Sequence, residues 1–119
     1  MNLCQILASG FGKVSEQQRR TPISRLAIVA TIKTVPGKRD EYLAVLKAHG
    51  KRCLATEPGT LQFEILVPQE EADTVMLYEV YASPEAFQTH SNGASLQQAK
   101  QEGAGLQVSI NGVHCNLAE

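Results

Sequence analysis

Aromatic residues are scarce in this sequence of 119 residues, which contains no tryptophan, three phenylalanines and three tyrosines. Proteins that bind single-stranded nucleic acid need aromatic side chains on which the bases stack. Basic residues are not in excess either, because 11 lysines and arginines stand against 12 aspartates and glutamates, for a formal net charge of -1. Such a chain has no long-range attraction for phosphate backbones or anionic lipids. We therefore expect neither nucleic acid nor a membrane as a partner.

Cysteines are also few, at positions Cys4, Cys53 and Cys115. Their odd number, wide separation and lack of C-x-x-C spacing argue against a disulfide framework and against a zinc site. We expect three unreactive thiols and no metal. The early apolar run at residues 3–8 is too short to span a membrane and lacks the basic segment of a signal peptide. A cytoplasmic location is the prediction.

Several catalytic motifs are absent from the sequence. It contains no glycine-rich phosphate loop, no H-E-x-x-H, no nucleophile elbow and no dinucleotide-binding fingerprint. Its hydrophobic content of 43% and charged content of 19% are ordinary for one soluble globular domain. We place this domain at residues 23–119, after an N-terminal extension at residues 1–22.

Hydrophobic periodicity and turn residues predict the element order strand, helix, strand, strand, helix, strand. Ser83-Pro84-Glu85 has the sequence of a helix start, and Asn92-Gly93 interrupts the helix that follows. The predicted spans are a strand at 24–34, a helix from the turn at 35–38 to about 56, strands at 60–67 and 74–82, a helix from 84 with a second piece at about 95–102, and a last segment at about 106–115. This order is typical of an α+β, ferredoxin-like βαββαβ fold with a four-stranded antiparallel sheet.

The last segment admits two interpretations. Alternating apolar residues flank Asn111-Gly112, which is a strong hairpin signal and would pair Ile110 with Val113. Alternatively, one strand continues through Asn111-Gly112 with a kink or bulge.

The first strand is apolar on both of its faces, which indicates that the sheet is covered on both sides. Helices on one side of an open sheet leave the other side bare, so a second layer is needed. Homodimerisation by sheet-on-sheet packing supplies it. We expect the N-terminal extension to pack on this dimer as a short strand or helix through its apolar residues, which are Leu3, Ile6, Leu7 and Phe11.

Several short segments occur in an order that resembles the antibiotic biosynthesis monooxygenase family of dimeric α+β barrel proteins. They are V-P-G-K at 35–38, E-P-G-T-L at 57–61, F-E-I-L at 63–66, L-Y-E-V-Y at 77–81 and A-F-x-x-H at 86–90. The resemblance covers residues 26–113. It implies a dimeric ferredoxin-like barrel, and it implies one last strand, so we favour the kinked strand over the hairpin.

The resemblance also implies an oxidoreductase that binds a small aromatic or quinol-type molecule between sheet and helices and oxidises it with O2 without any cofactor. Such chemistry needs a base that makes an electron-rich anion and donors that hold it. Three departures from the family pattern stand out. Ala30-Thr31 replaces an asparagine or acid, Ala94-Ser95-Leu96 replaces a second histidine, and the lack of tryptophan disfavours haem degradation.

His90 is the candidate catalytic base, since an imidazole titrates near neutral pH. The alternative is a histidine that only caps its helix. Glu79 is the second candidate catalytic residue, as a pocket acid or as the partner that orients His90; the alternative is a salt bridge at the dimer interface. His49 is expected at the surface or rim. The candidate substrate-binding residues are Tyr81, Phe63, Phe87 and Thr31.

Two other functions remain open at this stage. The same fold serves isomerases of small phosphorylated metabolites, which need a cationic pocket, for which Lys33 and Arg25 are the candidates. The chain could also be a non-catalytic dimer that binds a small molecule.

Overall fold

The computed structural model describes residues 24–118, which form four strands and three helices. The elements are β1 (Leu26–Thr34), α1 (Arg39–Thr56), β2 (Thr60–Leu66), β3 (Thr74–Tyr81), α2 (Pro84–Ser91), α3 (Ala94–Glu102) and β4 (Gln107–Asn116). Their order confirms the predicted α+β ferredoxin-like fold. The predicted N-terminal extension at 1–22, with its proposed packing and Cys4, lies outside the described residues.

The four strands form one antiparallel sheet in the order β2-β3-β1-β4. The apolar strand β1 is therefore an inner strand, as its two apolar faces predict. The register places Ile28 of β1 opposite Glu79 on one side and opposite His114 on the other. Phe63 of β2 lies opposite Glu79. These four side chains thus form one row across the face of the sheet that the helices cover.

Helix α1 follows a turn in which Gly37 has a φ of 81°, a conformation that glycine adopts without a steric penalty. Asp40 and Glu41 occupy its first turn, where the helix dipole favours negative charge. Its buried face is formed by residues spaced three or four apart, namely Tyr42, Leu46, His49, Gly50 and Cys53. The prediction that His49 lies at the surface or rim was wrong, because only 3% of this residue is exposed.

Helix α2 begins where the sequence predicts. The Ser83 side chain accepts a hydrogen bond from the backbone N–H of Ala86 at 3.1 Å, and Pro84 occupies the first turn. The helix ends at Ser91 beside the predicted Asn92-Gly93 break, and α3 resumes at Ala94.

Strand β4 pairs with β1 along its whole length, so the hairpin interpretation was wrong. Asn111 lies opposite Thr31 and Gly112 opposite Ala30 in regular register. The irregularity falls instead between Lys33 and Thr34 of β1, where the register shifts. The kink was therefore predicted at the wrong residues.

The helix-covered face of the sheet holds the main apolar core, which comprises Ala30, Ile32, Tyr42, Leu46, Phe63, Val75 and Leu77. The opposite face includes buried Ala27 and Val80, yet Leu66 and Val113 on it are 46% and 52% exposed. Among the described residues, no helix combines the length and the apolar character that crossing a membrane requires.

Candidate active site

A cavity of about 690 Å³ lies between the helices and the covered face of the sheet. Apolar side chains from β1, β3 and α1 form much of its wall. All three histidines of the sequence also line it, His49 from α1, His90 from α2 and His114 from β4. Glu79 reaches the same cavity from β3. An apolar pocket with a few converging polar groups is the usual form of a small-molecule site.

Aromatic rings pack closely around His90. The centroid of its ring is 5.2 Å from that of Tyr81, 5.4 Å from that of His49 and 6.3 Å from that of Phe87. Phe87 in turn meets His114 edge to face at 5.2 Å. These contacts fix the orientation of an imidazole that is only 4% exposed.

The Nδ1 atom of His90 lies 2.9 Å from Oε1 of Glu57. Glu57 is the C-cap residue of α1, and its carboxylate also accepts a hydrogen bond from the Thr60 hydroxyl at 2.8 Å. Burial by itself raises the pKa of Glu57, but the hydrogen bonds from His90 and Thr60 outweigh it, so this pKa lies below its usual value. A carboxylate on Nδ1 fixes the imidazole tautomer and leaves Nε2 as the proton acceptor.

Gly59 makes the approach of Glu57 to His90 possible. A Cβ atom at this position would collide with the Cβ of Ala86 in α2. Because Gly59 has no side chain, the turn after α1 packs directly against α2. The backbone bond from the Ala82 N–H to the Gly59 carbonyl, at 2.8 Å, fixes the same turn to the end of β3.

Cys53 is fully buried and lies against His49 and His90. Its Sγ is 3.6 Å from Nδ1 of His90 and 3.6 Å from each ring nitrogen of His49. Burial raises the pKa of the Cys53 thiol to about 12, with the Glu57 carboxylate adding to the shift. Burial also lowers the pKa of His49 from 6.5 to about 4, helped by the charge of His90. Cys53 is therefore a neutral thiol rather than a nucleophile.

A buried carboxyl group lies in the row across the sheet. Glu79 is 7% exposed, and its Oε1 accepts a hydrogen bond from the hydroxyl of the fully buried Tyr81. Burial raises the pKa of Glu79, and the hydrogen bond from Tyr81 only partly opposes this shift. The pKa of Tyr81 is raised too, by its own burial and then by Glu79. The Glu79–Tyr81 pair therefore holds protons more tightly than either group does in water.

Residues 25–102 match the sequence profile of the antibiotic biosynthesis monooxygenases. The chain belongs to the antibiotic biosynthesis monooxygenase family. None of the curated proteins matches the sequence.

Solved structures share the fold of this family member. A candidate antibiotic biosynthesis monooxygenase from Caulobacter crescentus superposes with a TM-score of 0.76 at 22% identity, covering 88% of this chain and 100% of the other. One from Nitrosomonas europaea superposes with a TM-score of 0.74 at 16% identity, covering 81% of this chain and 92% of the other. One from Chloroflexus aurantiacus superposes with a TM-score of 0.71 at 22% identity, covering 81% of this chain and 95% of the other.

The fold of this antibiotic biosynthesis monooxygenase family member brings three of the predicted site residues to the cavity wall, namely His90, Glu79 and Phe87. Tyr81 donates a hydrogen bond to Glu79 and is not among the residues that line the cavity. Phe63 packs in the core, edge-on to His49 at 5.4 Å. Thr31 lies on the face of β1 turned away from the helices, and it is not among the residues that line the cavity.

Sequence reasoning missed Glu57, His49 and Cys53. Glu57 was read only as the residue that ends α1, although its spacing of four from Cys53 places both on one side of the helix. Lys33, a candidate for binding a phosphorylated substrate, contacts Glu71 and Thr74 at 3.3 and 3.0 Å and does not line the cavity.

Proposed function

We propose that this protein is a cofactor-independent monooxygenase that oxidises a small aromatic, quinol-type substrate with O2. The observation that carries the proposal is a buried imidazole on the wall of an apolar cavity, with Nδ1 bonded to the Glu57 carboxylate at 2.9 Å. A histidine held in this way can accept a proton at Nε2 while the carboxylate stabilises the resulting imidazolium.

The first step is removal of a phenolic proton by Nε2 of His90. The phenolate transfers one electron to O2, and the resulting substrate radical and superoxide combine at a ring or methylene carbon. The proton held by His90 passes to this peroxide, which then loses water and leaves a carbonyl group at the same carbon. The net change is substrate plus O2 to a carbonyl product plus H2O, so one oxygen atom enters the product and the other leaves as water.

Glu79 has the properties of a hydrogen-bond donor to the substrate oxyanion. It lines the cavity, and burial favours its protonated form, in which the carboxyl group can donate a hydrogen bond. Tyr81 fixes Glu79 by donating to Oε1. A preorganised donor in a pocket with little water stabilises a developing oxyanion more strongly than water does. Phe87 provides an aromatic surface beside His90 for the substrate ring.

Two chains are expected to pack through the sheet faces turned away from the helices, in a cytoplasmic homodimer. Leu66 and Val113 on that face are about half exposed, and exposed apolar surface of this kind is common at subunit interfaces. Sedimentation velocity should give a dimer for the wild type and a monomer for Val113→Asp. A wild type that stays monomeric at micromolar concentration would contradict the dimer.

The activity is tested by oxygen consumption of the metal-stripped protein with a panel of quinols and anthrone-like polyphenols. We expect uptake with at least one compound and a loss of about 10²–10⁴-fold in His90→Gln, the usual contribution of a general base. His114→Gln is the matched control, because it alters another cavity histidine that has no hydrogen bond to Glu57. Equal rates for wild type and His90→Gln, or no uptake across the panel, would contradict the proposal.

A further inference from the structure

Three side chains that commonly bind metals meet in the interior of the molecule. The ligand atoms of His49, Cys53 and His90 all lie within 4.8 Å of one another, and all three residues are buried. We infer that these three residues, with the Glu57 carboxylate in the fourth position, form a binding site for one Zn²⁺ ion.

The spacing along α1 produces this arrangement. His49, Cys53 and Glu57 follow one another at intervals of four residues, so they lie above one another on one side of the helix and its C-cap. His90 reaches the same point from α2, with its Nδ1 within 3.6 Å of the Cys53 sulfur. Two separate elements therefore supply the ligands, as is usual for metal sites between helices.

The distances between the Cys53 sulfur and the histidine nitrogens fit a tetrahedral ion. With Zn–S bonds of about 2.3 Å and Zn–N bonds of about 2.05 Å, the sulfur and nitrogen ligands of a tetrahedron lie about 3.6 Å apart. The Cys53 sulfur lies 3.6 Å from Nδ1 of His90 and 3.6 Å from both nitrogens of His49. A rotation of the His49 ring selects one of its two nitrogens.

The Glu57 carboxylate already lies against one of the three ligands, His90. Oε1 of Glu57 is 2.9 Å from Nδ1 of His90, whereas two N or O ligands of a tetrahedral zinc lie about 3.4 Å apart. As the ion replaces the hydrogen bond, the carboxylate oxygen would therefore move about 0.5 Å away from Nδ1 of His90. The Thr60 hydroxyl already donates a hydrogen bond to this carboxylate, and metal ligands are commonly held by such bonds.

The charges of the four ligands match a divalent cation. A thiolate from Cys53 and the Glu57 carboxylate balance the two positive charges of Zn²⁺, while the two imidazoles bind as neutral ligands. Binding releases the Cys53 thiol proton to solution, and the buried site stays neutral overall. A neutral buried cluster avoids the large free-energy cost of an unpaired charge in the interior. Mixed sulfur, nitrogen and oxygen ligands in four-coordinate geometry favour zinc over magnesium or calcium.

The cavity provides the route by which the ion enters, because His49 and His90 both line it. An ion on Nδ1 of His90 would remove the hydrogen bond to Glu57 that holds the proposed base. Zinc should therefore inhibit the oxidation proposed above, and this consequence alone rests on the proposed function.

Metal binding is tested on tag-free, chelator-treated full-length protein without any substrate. Titration with Zn²⁺ against a chromophoric chelator should give one ion per chain, and Co²⁺ should produce the near-ultraviolet charge-transfer band of a thiolate ligand. The Cys53→Ser variant should lose the band and more than about 100-fold in affinity, since loss of a residue that only hydrogen-bonds to a metal ligand already costs about 10–100-fold. A double variant, Cys4→Ser with Cys115→Ser, is the matched control and should keep both properties.

Two results would overturn the zinc site: no bound ion in the wild type, or an unchanged cobalt band in Cys53→Ser. The wild-type stoichiometry and band do not depend on how well any variant folds. Oxygen uptake by the metal-stripped protein is a separate measurement. If the protein binds zinc but consumes no oxygen, the zinc site stands and the proposed monooxygenase is contradicted. If it consumes oxygen but binds no zinc, the monooxygenase stands and the zinc site is contradicted.

Discussion

Two regions of the molecule each hold a carboxyl group near His90, and they shift its pKa in opposite directions. At the turn after α1, Glu57 receives hydrogen bonds from His90 and Thr60, and its pKa falls below the usual value. On β3, Glu79 is more deeply buried and receives a hydrogen bond from Tyr81, and its pKa rises. The same functional group is thus held as an anion in one region and is driven toward its acid form in the other.

The difference shows that the partners of a buried carboxyl group, as well as its burial, set its protonation state. A histidine that can carry positive charge compensates the ionised Glu57, whereas the Tyr81 hydroxyl offers Glu79 a weaker, neutral donor. Pairs of acids whose pKa values are pushed apart commonly divide acid and base roles in enzymes. In the proposed mechanism Glu57 supports the base, and Glu79 donates a hydrogen bond to the substrate.

Of the variants at the two carboxyl groups, Glu57→Gln should have the larger effect on the rate of oxygen uptake. The amide can still accept hydrogen bonds from Thr60 and His90, but it carries no charge to stabilise an imidazolium. We expect kcat for oxygen uptake to fall by about 10–100-fold, the usual cost of losing a carboxylate that orients a histidine. Glu70→Gln, the same change at an exposed position between β2 and β3, is the control. Similar kcat values for the two variants would show that Glu57 does not orient the base.

Gly59→Ala should disturb the same region by steric means. The new Cβ would meet Ala86 and push α2 away from the Glu57 turn. Overpacking of this kind costs about 1–3 kcal/mol, to be measured as the change in free energy of unfolding by urea denaturation. Gly112→Ala is the control, since its Cβ would lie 3.7 Å from Ile28, an ordinary contact. Equal losses of stability in the two variants would contradict the close approach at Gly59.

His49 should make the protein sensitive to mild acid. Its pKa is about 4 in the folded protein against 6.5 ordinarily, so between these values the unfolded chain binds more protons than the folded one. Stability should therefore fall as the pH drops from 6.5 to 4. In His49→Gln, the midpoint of urea unfolding should fall less between pH 6.5 and 4 than it does in the wild type. His114→Gln, which alters an exposed histidine of β4, should retain it. An identical pH dependence in wild type and His49→Gln would rule out this source of acid sensitivity.

Glu79→Gln should have the smallest effect on activity. Its amide keeps a donor toward the cavity and an acceptor for Tyr81, so we expect kcat to stay within about tenfold of the wild type. Its effect on stability depends on pH. Because the folded pKa of Glu79 is raised above 4.5, the wild type loses stability as the pH rises from that value through the folded pKa. Urea midpoints of Glu79→Gln should lack that loss, and a larger loss in the variant would contradict the raised pKa.

Local sequence signals predicted the framework of the fold well. Ser83-Pro84 begins α2 because a capping hydroxyl and a proline both suit the first turn of a helix. The apolar residues on both faces of β1 predicted an inner strand, and β1 pairs with both β3 and β4. By contrast, Asn111-Gly112 suggested a hairpin or kink, yet both residues continue in regular pairing with β1.

The candidate site was only partly predictable, because its contacts are made in three dimensions. His90 and Glu79 stood out as polar residues in apolar segments. Glu57 looked like a turn residue, and its role emerges only where α2 packs on that turn, 33 residues along the chain. His49 lies between lysines at 47 and 51, which disguised its buried position on the inner side of α1.

The opposite treatment of the two carboxyl groups is tested most directly by ¹³C NMR of protein labelled at the glutamate side-chain carboxyl carbons. The two signals can be assigned as those lost in Glu57→Gln and in Glu79→Gln, and then followed in a pH titration. We predict that Glu57 titrates below the ordinary glutamate pKa of 4.5 and that Glu79 titrates above it. Coincident titrations, or the reverse order, would contradict a base supported by an ionised Glu57 beside a protonated Glu79.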